Sequence, residues 1–144
     1  MMKSQKTITR QKQITKVYFI KSFKWVIYAG FGMMFLSSGL DKFFHFMPSP
    51  ELEGEVLKIV TALVTIKWLL PLIAITEISG GLLFLIPKTR VLASLILLPV
   101  MIGILLQNIT YTPQALTIPI ILFMIDLFIL IDNRAKFKPL LHHN

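Results

Sequence analysis

Two acidic residues, Glu77 and Asp126, each sit in the middle of a segment apolar enough to span a lipid bilayer. Glu77 lies within Trp-Leu-Leu-Pro-Leu-Ile-Ala-Ile-Thr-Glu-Ile-Ser-Gly-Gly-Leu-Leu-Phe-Leu-Ile (68–86), and Asp126 within Leu-Thr-Ile-Pro-Ile-Ile-Leu-Phe-Met-Ile-Asp-Leu-Phe-Ile-Leu-Ile (116–131). An ionisable side chain at membrane depth costs roughly 2.5–3.5 kcal/mol on insertion scales, so it faces a protein interior or a wet cavity and marks a candidate site. If both carboxylates face one bundle interior, they cannot both ionise cheaply. Such a pair could hold a cation, relay a proton, or hydrogen-bond the polar end of a lipid-soluble ligand. The alternative is that each is neutral and hydrogen-bonded to a neighbouring helix, acting as packing glue.

A second group of reactive residues lies at the end of the first apolar run. Asp41, Lys42 and His45 fall within five positions and could gate a pocket or pass a proton. Interfacial charge pairing, with the histidine at headgroup depth, is the simpler account of them. Ser37 and Ser38, one turn deeper, could join this mouth to Glu77. Gly80 and Gly81, one turn beyond Glu77, would serve close helix contact or leave room for a flat ligand. No HExxH, P-loop or dinucleotide fingerprint occurs, and no nucleophile–base set can be assembled, so no catalytic residue is assigned. His142-His143 is too short to form a metal site without partners. The absence of cysteine removes thiolate metal sites and dithiol relays within this chain.

The elements that must hold these residues follow from hydropathy. The chain is 55% hydrophobic over 144 residues, with mean hydropathy +0.73, and its apolar residues come in long runs rather than stripes. Four spans are drawn: 23–40, 68–86, 91–107 and 116–131. They predict an all-α membrane protein, a four-helix up-and-down bundle over 23–133, between basic tails at 1–22 and 134–144. The basic start followed by an apolar run is read as a retained first span, because no convincing small-x-small cleavage site follows it. Residues 1–24 are expected to be a flexible tail that becomes an interfacial helix, with Trp25 and Tyr28 at the cytoplasmic headgroups. Gly30 and Gly32 would admit a neighbouring helix.

Beyond Pro48, Ser49 is the expected N-cap of an outer helix with Pro50 at its first position and Glu51, Glu53 and Glu55 at its positive end. Leu52, Val56, Ile59, Val60 and Leu63 form its one apolar stripe, which places it over the bundle's outer surface. The four-residue link from Pro87 to Arg90 makes spans two and three antiparallel neighbours, and Pro99 is expected to kink span three.

The formal charge of +8 is distributed as a membrane protein distributes it. All of the fifteen Lys and Arg residues except Lys42, Lys58 and Lys67 fall on one side of the spans. The positive-inside rule puts that side, with both termini, in the cytoplasm. The basic tails are expected to meet anionic headgroups rather than nucleic acid.

Three segments carry a family resemblance. Ser38-Gly39-Leu40-Asp41-Lys42-Phe43-Phe44-His45-Phe46-Met47-Pro48 resembles the end of the first helix of DoxX-like membrane proteins. Leu70-Pro71-Leu72-Ile73-Ala74-Ile75-Thr76-Glu77-Ile78-Ser79-Gly80-Gly81-Leu82-Leu83 is similar to that family's second helix, and Leu97-Leu98-Pro99-Val100 with Asn108 to its third. Gly39, Lys42, Phe43, Pro71, Glu77 and Gly80-Gly81 carry the pattern, while Asp41 stands where many relatives have Asn. The resemblance implies a four-helix protein of a bacterial cytoplasmic (inner) membrane, in a family linked to thiosulfate:quinone oxidoreduction and oxidative-stress complexes. On that basis the chain is expected to be an accessory subunit that binds a quinone-like molecule near Glu77, working with a membrane redox partner or as a homo-oligomer. The rival readings are a membrane scaffold with structural carboxylates and an oxidoreductase component in which Glu77 and Asp126 move protons.

Overall fold

The structure, a computed structural model, describes residues 2–48 and 51–133, with side chains from Arg10 onward. The expected Ser49–Pro50 cap and the tail at 134–144 lie outside the described residues. The described chain is all helical: α1 (Met2–Phe44), α2 (Gly54–Thr65), α3 (Leu69–Leu85), α4 (Arg90–Tyr111), a 3₁₀ turn (Pro113–Ala115) and α5 (Thr117–Asp132). By length and apolarity, α1 (from Arg10) and α4 are candidate membrane spans, and α2 with α3 makes a third if that bent pair is taken as one. With 17 and 16 residues, α3 and α5 are each roughly 25 Å long at ~1.5 Å per residue.

The beginning of the chain differs from expectation. Residues 2–22 contain no proline or glycine, so nothing in the sequence breaks the helix, and α1 runs unbroken for 43 residues. At roughly 65 Å it is about twice the ~30 Å thickness of a hydrocarbon core. The boundary drawn at 22/23 therefore falls inside one helix.

Small residues bring α1 onto α3. A Cβ added to Gly81 would lie 2.6 Å from the Leu36 amide nitrogen and 2.7 Å from the Gly32 carbonyl oxygen. Gly39 is equally tight, with the Ala74 carbonyl oxygen 2.8 Å from its would-be Cβ. Only glycine lets the two backbones approach this closely. Gly80 fits against the Leu97 side chain, so both glycines of the pair serve helix contact and neither leaves room for a flat ligand. Gly30, by contrast, faces open space and admits no neighbour.

Helix α4 then packs on α3, and α5 on α4. Phe31, Phe35, Phe84, Leu97, Met101 and Ile129 are buried between them, with Phe31 edge-on to Phe84 at 5.0 Å between centroids. At the basic end, Asp132 at the C-terminus of α5 accepts from Lys24 Nζ (2.7 Å) and the Tyr28 hydroxyl (3.1 Å) of α1, which ties the last helix to the first.

The short α3–α4 link is closed by side chains. Thr89 donates to the Leu83 carbonyl at 2.7 Å and Arg90 Nε to the Phe84 carbonyl at 3.1 Å, satisfying groups that a helix C-terminus leaves open. Arg90 also lies over the Tyr28 ring, 4.8 Å from its centroid. Tyr28 is therefore buried under a cation and bonded to Asp132 at the basic end of the bundle. Trp25 remains exposed.

At the opposite end, α2 meets α3 at a 90° bend. It begins at Gly54 behind Glu53, so Glu51 and Glu53 precede it and only Glu55 sits in its first turn. Its apolar stripe is as expected: Leu52, Val56, Ile59, Val60 and Leu63 are half-buried, and every other residue from 51 to 65 is exposed. Pro99 lies inside α4, which continues through it as one helix.

Candidate functional site

The site is assembled by the antiparallel packing of α1 on α3. Because Gly39 lets the backbones touch at Ala74 and Ile78, Ser38 is brought level with Glu77, one turn beyond Ala74. Ser38 Oγ donates to Glu77 Oε2 at 3.2 Å. One turn further along α1, the Lys42 side chain bends back towards the bundle. Its Nζ sits 2.5 Å from Glu77 Oε2 and 3.1 Å from Ser38 Oγ, with the Ser38 carbonyl at 3.5 Å.

One member of the mouth group, Lys42, is thus joined to Glu77 with Ser38 between them, as the position of Ser38 suggested. Glu77 at mid-helix finds its counter-charge in a lysine that the sequence places at the mouth, and a four-carbon stem covers the difference in depth. The Glu77 side chain is 3% exposed and that of Lys42 is 27% exposed. A carboxylate this deep would be costly alone. An ammonium and a hydroxyl on the same oxygen offset that cost.

The remaining members of the mouth do other work. Helix α1 stops at Phe44, and His45 follows in the left-handed region at φ 51°, its N–H donating to the Asp41 carbonyl at 2.7 Å. That is the bond of a left-handed helix cap. The Asp41 carboxylate in turn accepts the Met47 N–H at 2.7 Å. Asp41 and His45 shape the turn out of α1, and neither lines the cavity described next.

Beside the ion pair lies a cleft of about 720 Å³ between the end of α1, the apolar face of α2, the first half of α3 and the second half of α4. Ile59 and Leu63 of α2 form its cover, Ile73 and Glu77 of α3 one wall, and Pro99, Gly103 and Tyr111 of α4 the other. Its walls are mainly apolar, and Ser38, Lys42 and Glu77 make one polar end. Gly103 contributes no side chain, and a Cβ there would meet no atom within 4 Å. The geometry is that of a small-molecule site: concave, apolar, with few converging polar groups.

Asp126 is elsewhere. It is completely buried in α5 against α4 and does not line the cleft. Ser94 of α4 is near enough to influence its carboxyl. Yet neither Asp126 oxygen, nor Ser94 Oγ, makes a hydrogen bond of good geometry among the described residues. Glu77 finds its partners on α1, so the two carboxylates do not share a set of neighbours. The residues that sequence reasoning missed are Arg90 and Ser94. Arg90 reads as a loop charge, and Ser94 as one small residue in an apolar run. Their helical spacing of four from each other was the available signal, since it puts both on one face of α4.

Asn108, which begins a glycosylation triplet, uses its amide to bond the Ile104 carbonyl (2.8 Å) and accept from Thr112 (2.9 Å), finishing α4. No family model matches the chain, and no curated protein or solved structure does.

Proposed function

We propose that this chain is a DoxX-like integral membrane protein. In this reading α1, α3, α4 and α5 all cross a bacterial cytoplasmic membrane, both termini are cytoplasmic, and the protein serves as an accessory subunit that binds a small lipid-soluble, quinone-like molecule beside Glu77. The observation that carries this reading is the cleft: about 720 Å³ of mostly apolar space with a Lys42–Glu77 ion pair and Ser38 at one end. An apolar wall retains a ring or chain, and a few fixed polar groups orient its head.

The four-span arrangement is supported by the antiparallel order of the helices. If α1 and α4 cross, then α3, packed between them, occupies the same slab, and α5 lies against α4. The distribution of charge supports the orientation, with Lys24, Lys88 and Arg90 at one end and the outer helix α2 at the other. The basic first half of α1 then meets anionic headgroups. Residues that carry the family resemblance also fall together: Lys42 on Glu77, and Gly39 and Gly81 in the α1–α3 contact.

Native mass spectrometry of the protein extracted with its own lipids tests the reading. A stoichiometric small-molecule adduct is expected, and Gly103→Phe, which adds bulk at a lining position free of neighbours, is expected to remove it. A chain that carries no such adduct, or carries only protein partners, would refute ligand binding and favour the scaffold reading, in which Glu77 serves only to join α1 to α3.

A further inference from the structure

Helix α2 covers the cleft, yet little fastens it there. None of its residues is buried, and Leu57 and Val64 stay exposed on its flank. Among the described residues, every side-chain hydrogen bond of α2 stays within the helix. Lys58 donates to Glu55 at 2.7 Å, and Thr61 and Thr65 donate to carbonyls one turn back. Its hold on the bundle is therefore apolar contact, through the half-buried stripe that includes Ile59 and Leu63. Such contact has no preferred direction, so α2 can slide or lift without breaking a side-chain hydrogen bond to another helix.

Both ends of α2 permit that motion. Gly54 opens the helix at φ 61° with no atom near its would-be Cβ, and residues 51–53 are neither helix nor strand. At the other end only Ile66-Lys67-Trp68 joins α2 to α3, across the 90° bend. The bonds of that link are local, from Lys67 N–H to the Thr65 carbonyl at 3.0 Å and from Leu69 N–H to the Ile66 carbonyl at 2.9 Å. A few residues between two helix ends are what a hinge requires. The opposite boundary of the cleft is firm: Phe35, Phe84, Leu97 and Met101 are buried towards the basic end, and Leu97 fills the space beside Gly80. We propose that α2 is a lid hinged at residues 66–68, and that the cleft exchanges its contents on the side of the membrane where α2 lies. The inference rests on the ligand-binding reading above for what passes, while the motion belongs to the chain itself.

The chain has no cysteine, so introduced thiols report on it directly. Nitroxides at Thr61→Cys on α2 and Lys88→Cys in the α3–α4 link read the lid's position by double electron–electron resonance in lipid nanodiscs. Thr110→Cys with Lys88→Cys, along α4, is the rigid control. The lid pair is expected to show a second distance population that the control lacks. Shortening Ile59 and Leu63 together to alanine is expected to raise that population roughly tenfold, because less apolar surface then holds the lid down. In vesicles of known orientation, Gly103→Cys is expected to react with a membrane-impermeant methanethiosulfonate applied on the α2 side alone, and faster in the Ile59→Ala/Leu63→Ala background. A lid pair as narrow as the control in both backgrounds would overturn the inference. So would a Gly103→Cys that reacts only with a lipid-soluble maleimide, which would make the cleft a pocket entered sideways from lipid. A mobile lid over a cleft that carries no adduct would instead refute the ligand-binding reading and leave the lid standing.

Discussion

Removing the Lys42 ammonium should cost far more than its position near a helix end suggests, and removing both members of the pair should cost little. Lys42→Met keeps a flexible apolar stem but leaves Glu77, with a 3% exposed side chain, without its counter-ion. Breaking a fully buried ion pair from one side destabilises by about 3–5 kcal/mol. Because the Lys42 side chain is 27% exposed, part of the pair's attraction is screened, and about 2–3 kcal/mol is the expected loss. Lys42→Met combined with Glu77→Leu removes both charges and fills similar space, and should return to within about 1 kcal/mol of the original protein. The difference between the summed single effects and the double is the coupling energy, expected at about 2 kcal/mol or more. SDS-driven unfolding in mixed micelles, followed by circular dichroism, measures each variant. Additive single effects, each below about 0.5 kcal/mol, would show that the two side chains do not act on each other, and the assembled site would have to be abandoned.

Other consequences follow from the same packing. Gly81→Leu should drive α1 from α3, because its Cβ meets backbone atoms at 2.6–2.7 Å, with a loss of about 2 kcal/mol or more in the same unfolding assay. Gly30→Ala, with no atom within 4 Å, should be neutral or stabilise by up to about 1 kcal/mol, and a loss as large as that at Gly81 would contradict the helix pairing. Asp126→Leu should leave stability unchanged or raise it, since it replaces two buried oxygens without good hydrogen bonds by apolar atoms. A loss above about 2 kcal/mol would show that Asp126 has partners of real strength. Tyr28→Phe removes the hydroxyl that bonds Asp132 at 3.1 Å and should cost about 1 kcal/mol. Hydrogen exchange at the end of α5 should rise with it, and unchanged protection there would show that this bond does not hold α5 to α1.

Each helix and the partly buried face of α2 were legible in the chain, because both depend on local pattern. Long apolar runs read as helices, and here they stay helical across Gly80-Gly81 and Pro99, while the spacing of Val56, Ile59, Val60 and Leu63 settles which face of α2 turns inward. Helix α1 extends well into the stretch 1–24 expected to begin as a flexible tail, because nothing in residues 2–22 breaks a helix. Glu77 could be singled out by type and depth alone. Its partner could not, since Lys42 is 35 positions away and looks like an ordinary interfacial lysine.

Only the packing of α1 on α3 decided that pairing. Registry set by Gly39 against Ala74 and by Gly81 against Gly32 places Ser38 and Lys42 over Glu77, and no local pattern encodes which turn of one helix meets which turn of another. The same packing puts Arg90 over Tyr28 and leaves Asp126 apart from Glu77. Hydropathy marks the segments that must be buried and which charges will need company. Short-range contact between distant segments determines what that company is, because charges and hydrogen bonds act over a few ångströms while their partners are dozens of residues apart in the chain.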